Sequence, residues 1–315
     1  MIEKTPSPTL SEDQIKDRSN VGHKILRAVS ARHRMSHDVT THDFAYSQQG
    51  TANVLSVFTP GIAGNIHRHI RPFMPYIQEK GDVLLVQPSG ERYFQSEMSQ
   101  VTTDAIWQRI LKHGYDHLVV NGISMGGNTA YDALTTLNDS DVFSEQSVRP
   151  HATMFDTPSS RDDLVGVAKI AGPYVSRLPF GRLSNMLPVV KYGTPKPKIS
   201  DIENPEDFQD ILASYEGFGE IPTSFFFDQL AAIIARQKPS LGSMAFLDSM
   251  AYYQSLRGND IVDAQSSISA WQQALDDETK WKKTTVDSKH VDFEGQPTKS
   301  KRGLADTYDW HLLDK

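Results

Sequence analysis

The sequence predicts an α/β fold: a mostly parallel sheet with helices on both faces, interrupted by a helical insertion. Three observations predict it. Short apolar runs alternate with stretches of helical periodicity between Asn53 and Pro158. One of those runs, Leu118-Val119-Val120, stops at the glycine-bearing turn Asn121-Gly122-Ile123-Ser124-Met125-Gly126-Gly127, after which a helix begins. The alternation lapses from Ser159 to about Met244 and then resumes.

The 315 residues can bury a substantial core, and 38% hydrophobic with 23% charged residues is the balance of a water-soluble globular chain. A net charge of -7 with no basic stripe argues against nucleic acid as a partner. With no cysteine, disulfides, thiolate metal sites and cysteine nucleophiles are excluded. The opening MIEKTPSPTLSEDQ lacks an apolar signal region, and no apolar run is long enough to span a membrane, so the expected location is cytoplasmic.

The elements follow in order. Residues 1–40 read as an N-terminal extension, with partial helical periodicity from Glu12 to Arg34. Phe44 to Ser47 and Asn53 to Thr59 read as strands separated by the turn Gln48-Gln49-Gly50. The second strand ends in Thr59-Pro60-Gly61-Ile62-Ala63-Gly64-Asn65, a loop leading into a helix that runs to about Glu79 and frees backbone N–H groups at its start. Gly81 to Pro88 is the next apolar strand, and Val101 to His113 carries Ile106, Ile110 and Leu111 on one helical face. Ala152 to Pro158 continues the sheet after the serine-bearing strand. In the insertion, Asp163 to Ala171, Phe208 to Tyr215 and Ser224 to Arg236 look helical. Ser249 onward reads as a strand closed by the turn Gly258-Asn259-Asp260. Ala264 to Leu275 is a helix with Asp263 suited to its N-cap, and Lys283 to Asp287 is a short last strand before Ser288-Lys289-His290.

Gly122, Ser124 and Gly126 fill the pattern G-x-S-x-G, which has a mechanical rationale. A nucleophilic serine stands on a strained turn at the sheet edge, and small flanking residues let strand and helix approach. The following helix aims its N-terminal amides and positive dipole end at Ser124, where an oxyanion would form. Ser124 is therefore the candidate nucleophile. His67 and His69 flank an arginine on a predicted helix and have no further metal ligands beside them, so no metal site is expected.

Three stretches, VFTPGIAG, DVLLVQPSG and GISMGG, resemble the α/β-hydrolase superfamily of serine esterases, lipases and their relatives. The chain departs from that family in having Pro60-Gly61 where His-Gly is usual. The resemblance implies a core formed by residues 41–158 and 245–315, with residues 159–244 as a helical cap. It implies oxyanion-hole amides on Ile62 and Met125, and the family order of nucleophile, acid and histidine points to Asp260 and His290. Asp156 and Asp263 remain alternatives for the acid, and His311 for the base. The implied chemistry is cleavage of a carboxylic ester of small or medium acyl size through an acyl-enzyme on Ser124, with no cofactor required. A non-catalytic binding protein on the same scaffold, carbon-carbon bond hydrolysis, and acyl transfer to another acceptor are the alternatives.

Overall fold

A computed structural model describes residues 39–44, 53–61, 76–77, 79–88, 94–165, 223–256, 262–286 and 297–313. The predicted helix over Glu12–Arg34, the Gln48–Gly50 turn, Ile62, the Phe208–Tyr215 helix, Asp260 and His290 lie outside the described residues.

Seven strands form one sheet in the order β1-β3-β2-β4-β5-β6-β7. They are β1 (Val39–Phe44), β2 (Val54–Thr59), β3 (Gly81–Pro88), β4 (His117–Ile123), β5 (Arg149–Phe155), β6 (Ser249–Ser255) and β7 (Trp281–Val286). Only β1 runs antiparallel, against β3, and every other pairing is parallel. Helices α1 (Gln95–His113), α2 (Gly126–Asp139), α3 (Val142–Gln146), α4 (Thr223–Ala235), α5 (Ala264–Leu275) and α6 (Pro297–His311) complete the frame.

Alternation along the strands sends side chains into two separate cores. Leu55, Val57, Leu118, Val120, Ala152 and Met154 belong to one cluster with residues of α1, α2, α4 and α5. On the other face Val54, Phe58, Val119, Ile123 and Phe155 meet Leu304 and Tyr308 of α6. Covering both faces explains why the inner strands read as continuous apolar runs instead of alternating ones.

The sequence expectations need four corrections. The first strand is Val39–Phe44, not Phe44–Ser47; its Val-Thr-Thr start favours extended backbone, but its His42 and Asp43 mask the signal. Helix α1 begins at Gln95, six residues before Val101, because its polar first turns are held by packing and by hydroxyls of Thr102 and Thr103 bonding back to the carbonyls of Met98 and Ser99. Strand β4 runs on through Asn121, Gly122 and Ile123, so the turn is confined to Ser124 and Met125. The helix expected over Asp163–Ala171 does not start at Asp163, where a 3₁₀ turn, Arg161–Asp163, is followed by Leu164 bridging to Val262; residues 166–171 lie outside the described ones. The cause of this turn is Asp163, whose buried carboxylate accepts from Ser159 N, Ser159 Oγ and Ser160 N and ties the turn to Ser266 of α5.

By contrast, α5 spans Ala264–Leu275 as the periodicity predicts, and Asp263 caps it by accepting from the amides of Gln265 and Ser266.

Candidate active site

Strand order reverses between β2 and β4, because the chain builds outward from β2 to β3 and then crosses to β4 and β5 on the other side. The loops leaving such neighbouring strands diverge and open a crevice at their C-terminal ends. Ser124 sits there, one residue past β4 at the centre of the sheet.

Its backbone is in the left-handed region, with φ of 50°, an unfavourable conformation for a residue carrying a Cβ. Several contacts enforce it. The Ser124 amide donates to Phe155 O at 2.7 Å, and the amides of Gly127 and Asn128 donate to Ser124 O and Met125 O. The glycines around it are required by space. A Cβ on Gly122 would lie 2.1 Å from Gly127 Cα, one on Gly126 would lie 2.2 Å from Thr59 O, and one on Gly127 would lie 2.2 Å from Thr157 Oγ1. So α2 crosses its own strand and the end of β2 at backbone contact and meets the Thr157 side chain beyond β5, leaving Ser124 in the bend.

Thr157 forms the back of this arrangement. Its carbonyl accepts from Trp271 Nε1 at 3.0 Å and Tyr252 hydroxyl at 3.3 Å, linking α5 and β6 to the elbow. Burial, with Asp156 and Asp163 nearby, pushes the Tyr252 phenol well above its ordinary pKa and keeps it a neutral donor. In front, Gly61 closes on Ser124: a Cβ there would come 2.9 Å from Ser124 Cβ. The Pro60-Gly61 backbone therefore reaches the serine directly, and Met125 opens α2 beside it with φ of -56° and ψ of -27°.

The remaining candidates fall in different places. Asp156 follows β5 on the rim that carries Ser124, is 1% exposed, and accepts from Ser255 N at 2.9 Å and from Ser255 Oγ. Asp263 is an exposed helix cap. His311 is buried lower on the α6 face, with Nε2 3.0 Å from Thr153 Oγ1 and Nδ1 2.7 Å from Ser249 Oγ. Thr153 pairs with Asn121, three residues before Ser124, and Ser249 opens its strand, so both partners hold His311 away from the elbow's rim.

Sequence reading missed Asn128, one turn beyond Ser124, and the anchor between α2 and α4. There Arg236 donates through Nη1 and Nη2 to both oxygens of Asp132, at 3.1 and 2.7 Å, and stacks over Tyr131 with its guanidinium carbon 5.1 Å from the ring centre. Asn128 and Asp132 stand at i, i+4, but Thr129, Thr135, Thr136, Asn138 and Asp139 share the helix, so the sequence does not single the pair out.

The sequence matches no family model and no curated protein. Solved structures do match. The 2-hydroxy-6-oxo-6-phenylhexa-2,4-dienoate hydrolase BphD from Rhodococcus sp. strain RHA1 superposes with a TM-score of 0.54 at 13% identity, covering 86% of this chain and 95% of that one. A carboxylesterase from the thaumarchaeon Nitrososphaera gargenis gives 0.52 at 11% identity over 88% and 96%, and the N-acyl homoserine lactonase AidH gives 0.51 at 14% over 89% and 96%. With the sheet order and the elbow, these likenesses establish the class: the chain has the α/β-hydrolase fold. No helix among the described residues is long and apolar enough to cross a membrane.

Proposed function

We propose that the chain is a serine hydrolase that cleaves a carboxylic ester of small or medium acyl size through an acyl-enzyme on Ser124. The observation that carries this is the strained Ser124, with φ of 50°, at the central strand's end with Gly61 packed against its side chain. A bend costing roughly 1–3 kcal/mol persists because surrounding packing enforces it, and such strain concentrates at functional sites.

In this reading His290 takes the Ser124 proton as Ser124 attacks the carbonyl, and Asp260 orients the imidazole and stabilises its cationic form. The Ile62 and Met125 amides receive the oxyanion, each worth about 3 kcal/mol in the transition state. His290 then returns the proton to the leaving alcohol, and water releases the acid. Support for these roles is positional. Strands β6 and β7 are parallel and in register, with Ser255 opposite Val286, so the segments leading to Asp260 and His290 leave from the same rim as Ser124. Strand β7 is three strands from β4, a separation of about 14 Å. The four residues from Val286 to His290 can span a similar distance, about 13 Å. Residues 159–244 complete the proposal as a cap over the crevice, with α4 at its end fastened to α2 by Arg236 and Asp132. The similarly folded carboxylesterase supports ester cleavage as the chemistry.

A second reading of the acid has an observation in its favour. Asp156 directly follows β5, the strand next to β4, and its buried carboxylate is already oriented by Ser255. Ser124→Ala should abolish turnover of a p-nitrophenyl ester and labelling by a fluorophosphonate, and unchanged turnover would remove Ser124 from the mechanism. Comparing Asp260→Asn with Asp156→Asn separates the two acids, since the true one should lose about 10⁴-fold in kcat.

A further inference from the structure

We infer that Asn128 is a substrate-reading residue, and that its carboxamide takes a neutral group that both donates and accepts hydrogen bonds, a secondary amide, on the acyl part of the substrate. This rests on the hydrolase reading of Ser124.

Asn128 is 1% exposed, and neither its Nδ2 nor its Oδ1 has a hydrogen-bond partner among the described residues. A carboxamide offers two donor hydrogens and two acceptor lone pairs, and buried polar groups are nearly always paired. Its own helix shows that this neighbourhood can satisfy a structural polar group. One turn on, Asp132 receives Gln95, Ser99 and both terminal nitrogens of Arg236. The buried positions that follow on α2 are Thr129, Ala130, Ala133, Leu134 and Leu137, of which only Thr129 is polar, and its hydroxyl accepts from Gln95 Nε2. Asparagine is a weaker helix former than alanine or leucine, so neither the helix nor its packing accounts for an amide here.

Placement gives the amide its use. Gly126 faces the end of β2 and Gly127 faces Thr157 after β5, which fixes the side of α2 that lies on the sheet. Asn128, about 100° further round, is turned from the sheet toward the side where Arg236 covers Tyr131 and Asp132. Helical side chains lean toward the N-terminus, and for Asn128 that is the end of α2 that follows Ser124, four residues earlier. Being neutral and two-faced, it matches an amide edge and gives a carboxylate or an ammonium no countercharge.

The test compares two p-nitrophenyl esters of equal chain length, of N-acetyl-β-alanine and of hexanoic acid, on wild type, Asn128→Ala and Asn128→Leu. The expected result is a fall of about ten-fold in the N-acetyl-β-alanyl to hexanoyl ratio of kcat/KM in both variants. Fluorophosphonate labelling should be retained and Tm equal or higher, because an unpaired buried amide has been removed. Should neither ester turn over, the ratio is read from the protection each gives against labelling. An unchanged ratio overturns the inference. If Tm also falls, Asn128 is a structural residue sharing a buried water with Arg236, whose Nε likewise has no partner among the described residues. A wild type that the fluorophosphonate does not label fails earlier, at the hydrolase reading itself.

Discussion

The two ends of the same strands carry buried polar groups of opposite character. Toward their beginnings, a chain of groups runs from His117 Nδ1 to His151 Nε2 at 3.0 Å, from His151 Nδ1 to Ser249 Oγ at 2.7 Å, and on through His311 to Thr153. Both ring nitrogens of His151 and of His311 are engaged there. At the strands' C-terminal ends, Ser124 is held in a strained bend and the Asn128 amide has no partner among the described residues. Saturated polar networks rigidify a fold, whereas strain and unpaired groups destabilise it. In the proposed reading, the contrast puts a stabilising network toward one end of the sheet and the chemistry at the other.

The largest effect should come from breaking the close approach that creates the bend. Gly127→Val would drive side-chain atoms into Thr157, already 2.2 Å from an added Cβ. The expected loss is about 3 kcal/mol of stability by denaturant unfolding, with the proposed ester hydrolysis lost alongside. A variant that unfolds at the wild-type denaturant midpoint would show that α2 can move off the sheet, and the enforced-bend account would fail. Next in size is His151→Leu, which withdraws a partner from His117 and from Ser249 in a 0% exposed position. It should cost about 2 kcal/mol while leaving kcat per folded molecule unchanged. Asn128→Leu is expected to shift stability the other way, so the same replacement by leucine reports opposite signs at the two ends. Equal signs would erase the distinction between them.

How legible these two ends were differs for a physical reason. The elbow could be read because its requirement is steric and local: three glycines within six residues leave one compatible crossing of strand and helix. Helix α5 was equally plain, with an amphipathic run and its cap adjacent in sequence. The histidine chain was not legible, since His117, His151 and His311 come from β4, β5 and α6 and meet only after the sheet is assembled. Nor was Asn128, because having no partner is a property of the folded surroundings and leaves no local mark. The Asp163 turn was misread as a helix start for a related reason: its partner Ser266 is 103 residues away. The acid could not be singled out, since Asp156, Asp260 and Asp263 all follow strands or precede helices, where carboxylates also serve as turn formers and caps.

The smallest expected effect tests the α6 face of the sheet from its titration. Burial raises the Tyr308 phenol above its ordinary value of 10.0, where Asn121 Nδ2 donates to its oxygen at 2.8 Å. Tyr253, on the same α6 face, is raised by burial as well. A phenol whose folded pKa is raised holds its proton in the folded state after the unfolded chain has released it. Its stabilisation is therefore complete below about pH 10 and is lost as pH climbs from there toward the folded value. Unfolding stability should thus be insensitive to these groups near neutrality and decline above about pH 10. Tyr308→Phe should recover about 1 kcal/mol of that alkaline loss near pH 11, while Asn121 keeps the carbonyls of Val57 and Val119 as acceptors. Because Tyr308 packs on the face opposite α2, the substitution should leave kcat and KM at neutral pH unchanged. An alkaline decline identical in wild type and Tyr308→Phe would mean that this phenol does not contribute to it, and a change in kcat would mean that the two faces of the sheet are coupled after all.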